Sequence, residues 1–173
     1  MIEAADEVVF GVREAAWPLI RSDFGLSYAQ IGFLLGVPSV AAAAIEPALG
    51  LVADSGRRHL IMVIGGCAFV AGLGVAALAP GFAWLLLGFM VIYPASGAFV
   101  GLAQASLIDL QPKRHEVNLA RWTLAGSIGA VLGPLTLAAA LAVGFGWRAV
   151  LVGIALLLVP LVGWARSAAQ APA

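Results

Sequence analysis

The stretch Gly50-Leu51-Val52-Ala53-Asp54-Ser55-Gly56-Arg57-Arg58-His59-Leu60 decides how this chain reads. It is short, charged and glycine-containing, and it separates two long apolar runs. Gly56 tolerates φ > 0 and suits a tight turn, while Gly50 suits a close helix approach. Asp54 stands where the preceding apolar run meets water, one turn before Arg57 and Arg58. An acid so placed can hold the turn by charge-assisted hydrogen bonds. Asp109, at the end of a later apolar run, belongs at the same depth. Two readings are open: an ion-paired cluster of Asp54, Arg57 or Arg58, and Asp109, or simple anchoring of arginines at a membrane surface.

Working outward, the rest of the chain is strongly apolar. Hydrophobic residues make up 62% of 173, charged residues 10%, and mean hydropathy is +1.04. A soluble domain carries roughly 25% charge, so this composition belongs to an integral membrane protein. Zero formal net charge removes the electrostatic case for nucleic acid. The single cysteine, Cys67, excludes an internal disulfide and reads as a small packing residue. The acidic start (Glu3, Asp6, Glu7) lacks the basic region of a cleavable signal peptide. Eight arginines against one lysine fit a GC-rich bacterial genome.

Five apolar runs, 28–53, 59–79, 82–110, 119–143 and 147–164, each reach the ~20 residues that span hydrocarbon. Residues 1–20 differ, holding Glu3, Asp6, Glu7, Arg13 and Glu14. On a helical wheel these five charges fall within an arc of about 120°. A surface-lying helix would favour Lys and Arg on that arc. The stripe is expected instead to face a bundle interior or a wet cavity. The fold class expected is therefore all-α: six transmembrane helices in one domain covering 1–173. Arg57, Arg58, Lys113, Arg114, Arg121 and Arg166 fall on one side, Arg21 and Arg148 on the other. That bias places both termini in the cytoplasm, in the cytoplasmic membrane.

Several ionisable or polar residues sit at membrane depth and are candidates for a solute or ion path: Glu7, Arg13, Glu14, Glu46, Tyr93 and Gln104. Arg13 has possible partners on its own stripe or on the fourth or fifth helix. A salt-bridged packing role for Arg13 and Glu14 is an equal alternative. Gly126, Gly129, Gly133 and Pro134 form a bare stripe for close helix contact, with Pro134 expected to kink the helix. Generic small-residue packing also explains that stripe.

The turn resembles the signature loop of the major facilitator superfamily, G-x-x-x-D-(R/K)-x-G-R-(R/K), at Gly50, Asp54, Gly56, Arg57 and Arg58. It is one residue shorter, with Ser55 where a basic residue and a spacer would stand. AGSIGAVLGP is similar to the family's helix-five antiporter motif at Gly129, Gly133 and Pro134, with Leu137 and Ala138 replacing its closing glycines. Gly146-Trp147-Arg148 is a third, softer match. Aligned through Ser96-Gly97-Ala98, the position of the family's helix-four arginine is Tyr93. The resemblance implies the amino-terminal six-helix half of a twelve-helix bundle. It further implies secondary active transport of a small solute by alternating access, without a cofactor. A partner is then expected: a second six-helix half, or a second copy of the chain. The chain alone is expected not to transport.

Two other classes compete. A channel or non-transporting six-helix protein would leave broken apolar segments, and none is evident. PASGAFVG, from Pro94 to Gly101, resembles the G-x-S-G-A-x-x-G of rhomboid intramembrane proteases. A nucleophilic serine needs a base within reach. The two histidines, His59 and His115, lie at helix ends far in depth from Ser96, so Ser96 is expected to be a packing residue and the chain not an enzyme.

Overall fold

The structure, a computed structural model, describes residues 1–168. Its elements are helical: α1 (Ile2–Phe24), α2 (Tyr28–Val52), α3 (Arg58–Ala77), α4 (Phe82–Ser96), α5 (Leu102–Leu110), α6 (His115–Ala142) and α7 (Trp147–Ala168). A wide turn, Ala53–Arg57, joins α2 to α3, and another, Gly97–Gly101, joins α4 to α5. Four stretches are long and apolar enough to cross a membrane: Tyr28–Ala77, Phe82–Leu110, Pro112–Ala142 and Trp147–Arg166. The first is 50 residues long and reverses direction at Gly56, whose φ of 89° only glycine adopts without strain. The chain is an all-α membrane protein.

Helix ends differ from expectation in instructive ways. α1 continues past residue 20, through Arg21 and Asp23, and stops at Gly25 in the left-handed conformation (φ 61°). Polar residues beyond the apolar run cost nothing where water reaches them, so the helix ends at its cap. α2 begins on a capping box: Ser27 Oγ accepts from Gln30 N at 3.2 Å, and Ser27 N donates to Gln30 Oε1 at 2.9 Å. α6 starts four residues before 119, because His115 to Asn118 are helical although three of them are polar. The expected run 82–110 is interrupted at the wide turn Gly97–Gly101.

α1 lies along α6 and also touches α7, while α3 packs on α4 and α7, and α2 on α4. The apolar core runs between α1, α3, α4 and α7, around Val12, Ile20, Phe69, Leu73, Leu85 and Leu158. The start of α1, the turn at Gly56, the end of α5, the start of α6 and the end of α7 gather at one end of the bundle. That end carries Arg58 and Arg121. At the other end Trp147 Nε1 donates to Asp23 Oδ2 at 2.7 Å. Arg148 there donates to the carbonyls of Ala77 and Ala79, at 2.8 Å each, and lies over Phe24. These bonds satisfy the Ala77 carbonyl, at the end of α3 where intrahelical donors run out, and the Ala79 carbonyl just beyond it.

Candidate functional site

The site grows from the charged stripe of α1. On the wheel, Asp6 and Arg13 share one edge, and Glu3, Glu7 and Glu14 the other. The fold treats the edges differently. Asp6 is buried and accepts a hydrogen bond from Ser96 Oγ at 2.7 Å. Arg13, two turns on, donates to the Tyr93 hydroxyl and pairs with Glu14. Its guanidinium also lies over the Phe10 ring, 4.5 Å from the centroid. So α1 docks on α4 through Asp6–Ser96 and Arg13–Tyr93, and Trp17 meets Phe89 edge-on one turn later. Arg13 thus takes an acid from its own stripe, Glu14, and from the run 82–110 a phenol, Tyr93.

Ser96 therefore does more than pack: it satisfies a buried carboxylate. Neither Asp6 nor Ser96 was singled out as a site residue from sequence. The readable signal was the seven-residue spacing of Asp6 and Arg13, which puts them on one edge. What no spacing reveals is that α4 faces that edge.

Two cavities adjoin α1 and share Glu7. One, about 380 Å³, is lined by Asp6, Glu7, Phe10, Glu46, Tyr93 and Ser96, among others. Glu46 is exposed and lies against Gly97, where an added methyl group would come within 3.0 Å of its Cγ. The other cavity, about 420 Å³, is lined by Glu3, Glu7, Gln104, Trp122, Thr123 and Ser127. Glu7, Glu46, Tyr93 and Gln104 thus line these two cavities, with Arg13 bonded to Tyr93, whereas Glu14 is exposed and held by Arg13.

The glycine stripe of α6 is the seat of α1. Gly126, Gly129, Gly133 and Leu137 are buried at helical spacing. A methyl group at Gly129 would come within 2.9 Å of Glu7 Cβ, and one at Gly133 within 2.7 Å of the Val8 carbonyl oxygen. Gly126 faces Glu3. Pro134 has no N–H to offer the Ala130 carbonyl. That oxygen lies against Gly11 of α1, 3.0 Å from where a methyl would stand. α6 stays helical through Pro134.

At the basic end, Arg58 is the arginine that binds: it donates to Asp109 and, at 3.4 Å, to Asp54 Oδ1. The three residues tie the α2–α3 turn to the end of α5. All are solvent-accessible, with side chains 32% (Arg58), 73% (Asp54) and 62% (Asp109) exposed. Arg57 has no ion pair among the described residues. The close approach expected at Gly50 is corrected: nothing lies within 4 Å of where its side chain would begin. No helix of this chain packs there, because α2 turns that face outward.

A family model for the Major Facilitator Superfamily matches residues 10–170. The chain belongs to the Major Facilitator Superfamily. Its relatives in that superfamily include the fosmidomycin resistance protein of Escherichia coli, 30% identical over 128 residues, which are 74% of this chain and 32% of the relative. A multidrug efflux pump of Mycolicibacterium smegmatis is 32% identical over 152 residues, 85% of this chain and 29% of the pump. A triacylglyceride transporter of the same organism is 31% identical over 125 residues, 67% of this chain and 21% of that protein. The chain spans about a third or less of the length of these curated relatives. Membership makes it a multi-pass membrane protein of a superfamily of transporters, not of enzymes.

Proposed function

We propose that this chain supplies one six-helix wall of a secondary transporter that exports a small solute by alternating access. The six crossings are α1, α2, α3, α4 with α5, α6 and α7, in one domain with both termini in the cytoplasm. A second six-helix wall completes the path, supplied by further sequence or by another copy. The observation that carries this reading is the side of the bundle where Glu7, Glu46, Tyr93 and Gln104 adjoin open cavities in an otherwise apolar protein. Charges at membrane depth are costly and persist where they serve a path, and in transporters that path lies near the midplane between two halves. Arg13 and Glu14 set the charge of its inner edge. Gly126, Gly129, Gly133 and Pro134 keep α1 and α6 together as the wall moves. Asp54, Arg58 and Asp109, with Gly50, Gly56 and Arg57, form the lock at the cytoplasmic face. The export direction follows the names of two relatives, a resistance protein and an efflux pump.

Two measurements test this. Cys67 is replaced by Ala and single cysteines are introduced at positions 25, 57 and 145. Position 57 should label only from the cytoplasmic side, and 25 and 145 only from outside. Labelling of 57 from outside would overturn the topology. Growth in fosmidomycin then tests transport by the whole protein: Asp54→Asn and Arg58→Ala should each lower resistance without lowering membrane insertion. Full resistance in both would remove the role given to the lock.

A further inference from the structure

Among the described residues three polar side chains are buried: Asp6, Ser96 and Asn118. The first two answer each other. Asn118, the fourth residue of α6, has a different partner: its amide nitrogen donates to Gln111 Oε1 at 3.3 Å. Gln111 is the residue at which α5 stops. Its φ of −138° and ψ of 66° leave the helix, because the ring of Pro112 disfavours helical backbone in the residue before it. Two residues earlier, in the last turn of α5, stands Asp109. A carboxylate is poorly placed there, since the carbonyl end of a helix carries partial negative charge. α5 is nine residues long and none of them is buried, and so short a helix is not stable by itself. With nothing to brace it, its last turn would fray and take Asp109 along.

The ion pair to Arg58 is a weak brace, because exposed pairs spend side-chain entropy to hold two long groups in one geometry. Asn118 is a firmer one. It is buried on a helix that packs along the whole of α1, so its amide has one position. Arg114 gives α6 no side-chain cap. Within the turn, His115 Nδ1 meets the Pro112 carbonyl oxygen at 3.1 Å. The Gln111–Asn118 bond reaches further, from α6 back to the residue that ends α5. We propose that Asn118 is a positioning residue for the lock: through Gln111 it fixes where α5 ends and so holds Asp109 within reach of Arg58. Its bond is to Gln111 and to neither member of the ion pair. The proposal rests on reading Asp54, Arg58 and Asp109 as a lock. A bond that merely closed the α5–α6 turn would leave the Arg58–Asp109 pair as it is.

The test uses the whole chain in nanodiscs, with Cys67 replaced by Ala and spin labels at positions 60 and 110, both exposed. Dipolar coupling between the labels should give one narrow distance distribution in the otherwise unaltered chain. Asn118→Ala should broaden it several-fold, Gln111→Ala should do the same, and the two changes together should broaden it no further. Gln111 is exposed, so its variant keeps the fold, and far-UV circular dichroism should stay unchanged in all three. A distribution that remains narrow in Asn118→Ala or in Gln111→Ala would overturn the proposal. In the growth assay, Asn118→Ala should lower resistance about as far as Arg58→Ala, and the double variant should fall no further than Arg58→Ala alone. A further fall in the double variant would make Asn118 a structural residue and remove its role in the lock. If Arg58→Ala keeps full resistance while Asn118→Ala broadens the label distances, the lock reading falls and the placing of Asp109 by Asn118 stands.

Discussion

α1 and α2 invert the pattern of a soluble protein. α1 carries Glu3, Asp6, Glu7, Arg13, Glu14, Arg21 and Asp23, yet it is the enclosed helix, with buried residues on every turn from Ile2 to Ile20. α2 carries one charge, Glu46, and buries only Leu34, Pro38 and Ala42. Phe33, Val40 and Leu51 of α2 are 61%, 71% and 76% exposed. Lipid explains the difference. Hydrocarbon accepts apolar side chains as readily as a core does, so nothing drives α2 inward. Charges are unwelcome in hydrocarbon, so α1 turns its polar edge to Ser96, Tyr93 and the cavities. The ends follow suit. α1 is pinned by Asp23–Trp147 and by Arg148 over Phe24, whereas the end of α2 is held by the small cluster of Ala53, Ile61 and Ala98 and by exposed ion pairs.

The largest effect expected from breaking this contrast is at the α1–α6 contact. Gly129→Leu should destabilise the chain by about 3 kcal/mol, since overpacking a tight contact forces backbone to move. Gly36→Leu on α2, with nothing within 4 Å, should change stability little. Chemical denaturation in detergent followed by circular dichroism compares them, and equal losses would erase the distinction between the helices. Next is the pinned end of α1: Arg148→Ala gives up two hydrogen bonds from a charged donor and should cost about 2 kcal/mol in the same assay. Ser96→Ala should cost about 1–2 kcal/mol by leaving Asp6 short of a donor. An Asp6→Asn, Ser96→Ala pair should cost less than the sum of the single changes. Strict additivity would mean the two side chains do not interact. The smallest effect belongs to the exposed end of α2. Arg58→Ala should cost under about 1 kcal/mol, as surface ion pairs do. A loss as large as that of Arg148→Ala would mean that the two ends are held equally.

Much of the framework is legible along the chain. The turn at Gly56 follows from a glycine between charges and apolar runs, and the helices follow from run length. Gly126, Gly129 and Gly133 announce a close contact, though not that α1 fills it. The failures are equally specific. Gly50 reads like the other glycines, yet it faces open space. Ser96, in a stretch similar to a protease motif, reads as filler, yet it serves Asp6. Arg57 and Arg58 are adjacent and chemically identical, and only Arg58 reaches Asp109.

Sequence alone determined that this chain lives in a bilayer, that it is helical, where it reverses and which end is basic. Those properties depend on hydropathy and local backbone preference, which neighbouring residues set between themselves. Tertiary structure decided which charges of α1 are enclosed, which glycine meets a helix and which arginine closes an ion pair. Each of these depends on a partner dozens of residues away, brought close by helices whose apolar surfaces carry no address in lipid. Only small residues and buried polar groups specify how such helices meet.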